Sequence, residues 1–113
     1  MNNFIYKICL ENEWKNAKKI GKFKGTKKDL TDGYIHFSNK EQISSTLKKY
    51  FFNQDKLILL KVNIFNLKKL KWEKSQTDEI FPHLYSDLDL NNVKSTLKII
   101  LNKNGTHKLP IEL

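Results

Sequence analysis

Residues 31–41, TDGYIHFSNKE, join a turn, a short strand and a helix start in one segment. The apolar and aromatic residues of YIHF, at 34–37, predict a strand. Ser38 and Glu41 have the spacing of a capping box, in which a serine hydroxyl and a glutamate carboxylate accept hydrogen bonds from the first backbone N–H groups of a helix. The segment therefore predicts that His36 lies in a strand, close to the point where a helix begins.

Apolar patterning on both sides of this segment predicts one domain over residues 1–113. The most apolar run, KLILLKVNI, is predicted to be the central strand. The run VKSTLKIIL favours a strand before an Asn104-Gly105 turn, although its apolar spacing also suits a helix. The predicted strands are 4–10, 34–37, 56–64, 68–74 and 93–101, and the predicted helices are 11–21, ending at Gly21, and 38–52. The helical residues expected to face the core are Trp14, Ala17 and Ile20 in the first helix and Ile43, Leu47, Tyr50 and Phe51 in the second.

Two segments lack a regular pattern. The first, KFKGTKKDLTDG at 22–33, is rich in glycine and indicates turns. The second, IFPHLYSDLDL at 80–90, is predicted to be irregular, and Pro82 excludes a central ladder position because proline cannot donate to a β-ladder. Together the elements predict an α+β fold with a bent mixed sheet of about 5–6 strands and two main helices.

The basic charge of the chain is carried entirely by lysine. There are 21 basic residues, none of them arginine, against 12 acidic ones, and the formal net charge is +9. Without arginine the chain cannot make bidentate guanidinium contacts to phosphates or guanine edges. The densest run is KKIGKFKGTKK, 18–28, and two interpretations stay open: a solvated face produced by compositional bias, or a patch that attracts anions.

Several classes of protein are disfavoured by what the sequence lacks. Its start has no signal-peptide pattern, and no apolar run approaches the roughly 20 residues of a membrane span, so we expect a cytoplasmic protein with no membrane partner. Cys9 lies among apolar residues and is expected to be a buried side chain rather than a nucleophile. No metal site is predicted, because neither HxH nor HxxxH spacing occurs. The phosphate loop, the nucleophile elbow and the dinucleotide-binding glycine motif are also missing.

His36 alternates with Tyr34 and Ser38, so these three side chains are predicted to share one face of the strand. A helix start beside them would offer unpaired N–H groups and partial positive charge, which favour an anion. This face is therefore suited to a phosphate, a carboxylate or a nucleotide. The alternative is that Ser38 only caps the helix and His36 hydrogen-bonds a loop.

The segment FPHLY, 81–85, has a similar character. If it is extended, Phe81, His83 and Tyr85 fall on one side. Aromatic rings beside a histidine can form a slot for a flat ring, with the imidazole as a hydrogen-bond partner or as an acid and base. The alternative is a proline-containing edge whose aromatic side chains fill the core.

The order of these motifs carries a family resemblance. IYKI, a helix with Trp and Ala, DGYIHFSNKEQ, a lone apolar strand, KWEK and FPHLYSDLDL together resemble the family catalogued as domain of unknown function 952, over residues 4–108. The resemblance implies a fold like that of the ADP-ribosyltransferases, with a split, curved sheet around a cleft for a nicotinamide dinucleotide. In that superfamily an early strand usually carries a histidine or arginine that contacts the ribose, and a later aromatic residue or histidine often stacks on the nicotinamide.

The resemblance also implies roles for particular residues. IHFS, 35–38, is similar to a strand-end motif of the RNA 2′-phosphotransferase branch, which makes His36 and Ser38 candidates. Tyr6 or Lys7 stands about where the early histidine or arginine is expected. Glu73 is taken as the counterpart of the late catalytic glutamate, and a plain surface ion pair with its neighbouring lysines is the alternative.

Two functions follow. In the first, a cleft binds or acts on a nucleotide or ADP-ribose-like anion, with NAD or ADP-ribose as candidate cofactor. The expected catalytic residues are His36 and His83, and the expected ligand-binding residues are Tyr34, Ser38, Trp72, Glu73, Phe81 and Tyr85. In the alternative, the chain is a non-enzymatic binding module whose lysine-rich surface meets nucleic acid or an acidic protein.

Overall fold

The elements of the fold are known from a computed structural model that describes residues 3–110 and 113. Nine strands and three α-helices occur in these residues, with short 3₁₀ turns at Lys40–Gln42 and Leu90–Asn92. The strands are β1 (Phe4–Leu10), β2 (Lys22–Phe23), β3 (Ile35–His36), β4 (Leu57–Asn63), β5 (Leu70–Lys74), β6 (Ile80–Leu84), β7 (Leu88–Asp89), β8 (Val93–Leu101) and β9 (His107–Lys108). The helices are α1 (Glu11–Ile20), α2 (Lys27–Asp32) and α3 (Ile43–Tyr50).

A four-stranded sheet in the order β1-β4-β8-β9 forms the central layer. The apolar run predicted to be the central strand is β4, which pairs with β1 on one side and β8 on the other. Because alternate residues of β1 and β4 point to opposite faces, the layer separates two apolar clusters. One lies under α1 and includes Ile5, Cys9, Leu60 and Trp14, and the other lies under α3 and includes Ile8, Leu59, Ile43 and Leu47.

A second sheet, in the order β3-β6-β5, covers part of the first cluster. It is joined to the central layer through Tyr6 and Ser38, whose backbone N–H groups each donate to the other's carbonyl at 2.8 Å. The resulting sheet curls, which confirms the α+β class and the predicted bend. All ladders between described residues are antiparallel, which corrects the expected mixed sheet.

The first helix matches its prediction closely. Trp14 and Ala17 are buried, and Gly21 ends α1 with φ 95°, a left-handed conformation that glycine adopts without steric cost. Two residues that were expected to face the core do not: Ile20 of α1 and Tyr50 of α3 are about half exposed, at 49% and 51%.

Two predictions about the segments on either side of β3 are wrong. The expected turns at 22–33 contain α2, whose N-cap Thr26 accepts from the N–H of Asp29. The capping box after β3 is formed by Asn39 and Gln42, one residue later than Ser38 and Glu41. In both capping boxes that form, Thr26 with Asp29 and Asn39 with Gln42, each side chain accepts from the backbone N–H of the other residue.

Pro82 lies within the middle strand β6, which corrects the prediction of an irregular segment there. Its carbonyl accepts from the N–H of Phe37 at 3.0 Å, just beyond the two-residue ladder of β3. A strand residue directs its N–H and C=O to the same side. The missing donor of Pro82 therefore faces Phe37, just past the end of β3, where only the bond from the Phe37 N–H to the Pro82 carbonyl forms. The pairing of β6 with β5 on the other side needs no donor from Pro82.

Candidate functional site

The two predicted histidines face each other across the β3–β6 ladder. His36 lies opposite His83 in the register, and the ring centroids are 5.5 Å apart in an edge-to-face arrangement. The Tyr34 ring lies against both imidazoles, with centroid distances of 4.6 Å to His36 and 4.2 Å to His83. The Tyr85 ring is 5.1 Å from Tyr34. These four rings form a continuous group, called here the ring cluster.

Glu73 of β5 holds one side of the ring cluster. Its Oε1 lies 2.8 Å from Nδ1 of His83 and accepts from the Tyr85 hydroxyl at 2.6 Å. The hydrogen bonds from Tyr85 and then His83 lower the pKa of Glu73 below its usual value. The same bond to Glu73 raises the pKa of Tyr85 to about 12, because ionising Tyr85 would place two anions side by side.

Asp29 of α2 holds the other side. Its Oδ1 lies 2.7 Å from Nδ1 of His36, and Lys7 of β1 approaches both carboxylate oxygens, at 2.8 and 3.0 Å. Asp29 and Lys7 are 2% and 5% exposed, so this ion pair is buried. Burial alone would raise the pKa of Asp29, but the hydrogen bond from His36 and the charge of Lys7 outweigh it and hold the pKa below its ordinary range.

The second nitrogen of His36 meets another carboxylate. Nε2 lies 3.0 Å from Oδ2 of Asp32, at the end of α2, and Lys28 donates to the same oxygen at 3.0 Å. The hydrogen bond from Lys28 and the neighbouring His36 lower the pKa of Asp32. Unlike Asp29, the Asp32 side chain is 30% exposed and can turn away from the ring.

Nε2 of His83 differs from Nε2 of His36, because no carboxylate of the described residues pairs with it. Among the residues that the structure describes, no hydrogen bond joins Nε2 of His83 to another group, and no buried side-chain nitrogen or oxygen lacks a partner. Nε2 therefore reaches the surface. A ring held at Nδ1 by a carboxylate and open at Nε2 is arranged to accept or donate a proton there.

Three predicted site residues lie outside the ring cluster. Ser38 is buried, and its hydroxyl lies 3.3 Å from that of Thr46, so it neither caps a helix nor shares the face of His36. Trp72 lies opposite Pro82 in the register and projects to the other face of the sheet, half exposed. Phe81 is partly buried opposite Glu73, on the face of His83 but one step away from the rings.

Sequence reasoning missed Asp29 and Asp32 as site residues and gave Lys7 only as a positional counterpart. The spacing of Thr26 and Asp29 is itself a capping-box pattern, which could have indicated α2. That pattern would not have shown that Asp29 also reaches His36, because the contact depends on how α2 packs beside β3.

Two hollows of the molecule lie away from the ring cluster. One of about 530 Å³ is lined by residues that include Asn63, Phe65 and Asn92, and one of about 350 Å³ by residues that include Leu47 and His107. Neither contains a predicted site residue, so the ring cluster is a surface-facing group and not the wall of these cavities. Within the described part of the chain, no three His, Cys, Asp or Glu side chains are placed to hold a metal ion.

Cys9 is fully buried, and burial raises the pKa of its thiol to about 12, which keeps it protonated and unreactive. No helix in the described residues has the length and apolar character to cross a bilayer.

The chain resembles solved structures of protein CC0527 from Caulobacter crescentus. The crystal structure of that protein is 40% identical, covers 93% of each chain and has a TM-score of 0.88, as does the crystal structure of a double mutant. A solution NMR structure of the same protein gives a TM-score of 0.82 and covers 93% of this chain and 91% of that one. No curated protein matches the chain significantly.

The family match covers most of the sequence and includes both histidine segments. The model described as "Protein of unknown function (DUF952)" matches residues 8–96. This span contains β3, α2 and the FPHLY strand, from which the ring cluster is built, and it confirms the resemblance indicated by the sequence motifs. The chain belongs to the DUF952 family.

Proposed function

We propose that the ring cluster binds the flat ring of a nucleotide or ADP-ribose-like ligand, with His83 as an acid or base at the ligand. The observation that carries this proposal is the grouping of Tyr34, His36, His83 and Tyr85 on one sheet face, with a carboxylate at Nδ1 of each histidine. Structural packing alone does not require two histidines to be oriented in the same way at a partly exposed face.

The aromatic rings supply the binding energy in this proposal. Tyr85 is 38% exposed and Tyr34 partly exposed, so both offer ring surface to a ligand. Stacking of a base on an aromatic side chain contributes about 1–3 kcal/mol. The exposed hydroxyl of Tyr85 stays protonated over the physiological range, because its pKa is raised to about 12.

The histidines supply the chemistry. Glu73 fixes Nδ1 of His83 and leaves Nε2 for proton exchange with a ligand hydroxyl or leaving group. His36 contacts a ribose hydroxyl or a negative group after Asp32 turns away from Nε2. The resemblance to ADP-ribosyltransferases favours NAD or ADP-ribose as the ligand, and a degenerate transferase that only binds is included in this proposal.

A thermal-shift panel of NAD, ADP-ribose, mononucleotides and short RNA tests the proposal. A ligand that binds only the folded state at 100 times its Kd stabilises it by about 2.7 kcal/mol, which raises the Tm measurably. We expect a shift from one of the nucleotides, and its loss in His83→Ala and Tyr34→Leu. The matched controls, His107→Ala and Tyr50→Leu, change residues outside the ring cluster and should keep the shift. Equal shifts in all four variants, or none in the wild type, would exclude the ring cluster as the binding site.

A second candidate is a non-enzymatic module that binds nucleic acid or an acidic protein through lysines. The six lysines of residues 18–28 are all exposed, on α1, β2 and α2 and in the loop between β2 and α2: Lys18, Lys19, Lys22, Lys24, Lys27 and Lys28. Polyanion binding should weaken steeply as salt rises, with a slope set by the number of phosphates contacted. Binding at the ring cluster should depend on salt only weakly, so a salt titration separates the two candidates.

A further inference from the structure

Lys7 differs from every other lysine of the chain. All 21 lysines lie within residues 3–110, and Lys7 alone is buried. Compositional bias can account for lysines in solvent, where they cost little. It does not account for an ammonium in the core, because a buried charge carries a penalty of several kcal/mol unless a partner offsets it.

Asp29 is that partner, and donors surround both of its carboxylate oxygens. Oδ2 accepts from Lys7 and from the N–H of Thr26 at 2.8 Å, and Oδ1 accepts from Lys7 and from the N–H of His36 at 3.2 Å. Nδ1 of His36 is the remaining contact, at 2.7 Å. An ionised carboxylate only accepts hydrogen bonds, so Nδ1 donates to Asp29. Nε2 can likewise donate to Asp32, but that contact is longer, at 3.0 Å, and ends on a carboxylate that is 30% exposed. In a ring with one proton, the shorter bond to the buried Asp29 therefore keeps that proton on Nδ1.

The same pair also holds the backbone of His36. Lys7 donates to the His36 carbonyl at 2.9 Å, while Asp29 accepts from the His36 N–H. The residue is thus fixed at its N–H, its C=O and its ring nitrogen by two side chains buried in the core. The other charged and titratable groups near the ring are Asp32 at Nε2, Lys28 behind Asp32, and the rings of His83 and Tyr34.

We propose that Asp29, paired with the buried Lys7, is a positioning residue that fixes His36 with its proton on Nδ1 and presents Nε2 at the surface. The carboxylate at Nε2, Asp32, is exposed and displaceable, whereas Asp29 is locked from behind by Lys7. Nε2 is therefore the ring atom that His36 offers to a ligand. The importance of this arrangement rests on the proposed function, but the arrangement itself can be measured without any ligand.

Long-range ¹H–¹⁵N NMR spectra of the three histidines provide the test, at a pH where each ring carries one proton. We expect the Nδ1–H tautomer for His36. His107 is an internal control, since its Nε2 lies 2.7 Å from the carbonyl of Gln54, which can only accept, so the Nε2–H tautomer is expected there. An Nε2–H tautomer for His36 in the wild type would overturn the proposal without any variant.

Two double variants separate positioning from folding. Lys7→Met with Asp29→Leu removes the charge pair and the acceptor, so His36 should lose its preference for Nδ1–H. Lys7→Met with Asp29→Asn removes the charges but keeps an amide oxygen for Nδ1, so the tautomer should be retained. The same tautomer in both variants would show that Asp29 does not set it.

A ligand experiment keeps this proposal distinct from the proposed function. For any nucleotide that shifts the wild-type Tm, the Leu double variant should bind at least about tenfold more weakly than the Asn double variant, by analogy with losses at residues that orient a liganding histidine. If no nucleotide binds, the proposed function fails while the tautomer result stands. If binding is equal in both variants, the positioning role fails while the proposed function stands.

Discussion

Glu73 connects two rings through one oxygen atom, since Oε1 contacts both Nδ1 of His83 and the hydroxyl of Tyr85. This contact couples the charge of Glu73 to the ionisation of Tyr85. Because the folded pKa of Tyr85 is raised above its ordinary value of 10.0 to about 12, its contribution to stability is present below pH 10 and is lost as the pH rises through about 12.

Glu73→Gln should therefore lower the pKa of Tyr85 from about 12 toward 10.0, because the glutamine keeps a hydrogen-bond acceptor but loses the charge. The measurement is an ultraviolet titration of phenolate in the variant and the wild type. The control is Glu79→Gln, since the Glu79 carboxylate contacts Gln42 rather than Tyr85. An unchanged titration in Glu73→Gln would show that the hydrogen bond does not form in solution.

Lys7→Met should destabilise the protein by about 3–5 kcal/mol, because it leaves the buried Asp29 without its cation. Adding Asp29→Leu should recover part of this loss, because it removes the unpaired buried charge. The recovery stays incomplete, since the backbone N–H groups of Thr26 and His36 then lack their acceptor. Urea unfolding of the single and double variants measures both changes. A double variant no more stable than Lys7→Met would contradict the ion-pair explanation.

Asp29 also predicts a dependence of stability on acid. Its folded pKa lies below the ordinary value of 3.8, so its contribution is present above pH 3.8 and is lost as the pH falls toward the lower folded value. The urea midpoint of the wild type should fall in this range, and the double variant that lacks both charges should show a flatter profile. Parallel profiles would mean that other carboxylates dominate.

Single residues also show what the sequence could and could not reveal about the site. The alternation of Tyr34 with His36, and of His83 with Tyr85, was sufficient to place those pairs on common faces. Alternation failed at Ser38, because the chain leaves β3 there and pairs with Tyr6 instead. The Asp29 contact could not be predicted, since it depends on the packing of separate elements.

At the scale of elements, α2 is the part that joins the site to the core. The chain just before α2 has no room for a side chain at residue 25, because a Cβ at Gly25, where φ is +118°, would lie 2.7 Å from the Cβ of Asp29. The glycines at 25 and 33 indicated turns, yet they flank a six-residue helix whose cap is supplied by Thr26. Short helices of this kind are held by caps and tertiary contacts rather than by propensity, which is why periodicity did not reveal α2.

Thr26→Ala should lower the free energy of unfolding by about 1 kcal/mol, because it removes the side-chain acceptor at the N-cap of α2. Thr31→Ala is the matched control on the exposed side of the same helix, where the hydroxyl donates only to the Lys27 carbonyl. It should change stability by no more than about 0.5 kcal/mol. Chemical denaturation measures both, and equal effects would argue against a capping role.

At the scale of the whole molecule, the long apolar runs of the sequence predicted the positions of helices and strands most accurately. β1, α1, β4 and β8 fall within a residue of their predicted bounds, because each carries enough buried residues to establish its periodicity. The second sheet was harder to predict. β3 has two residues in its ladder and β6 contains Pro82, so the pairing that brings His36 to His83 depends on the curl of the complete sheet.

Leu60→Ala should destabilise the whole fold by about 2–5 kcal/mol, since Leu60 is fully buried on the central strand β4. Phe65→Ala is the control, because that ring is 72% exposed and should contribute no more than about 0.5 kcal/mol. Urea unfolding followed by circular dichroism compares the two. A loss for Leu60→Ala no larger than that for Phe65→Ala would contradict the placement of Leu60 in the packed core.

The burial of Lys7 has a further consequence for covalent labelling. An amine-acylating reagent should modify the other twenty lysines readily in the native state, while the Nζ of Lys7 stays protected by Asp29 and the surrounding core. Acylation of Lys7, followed by mass spectrometry over time, would then report how often the first strand and the second helix separate. The rate at which Lys7 is acylated would thus measure how often the fold opens locally.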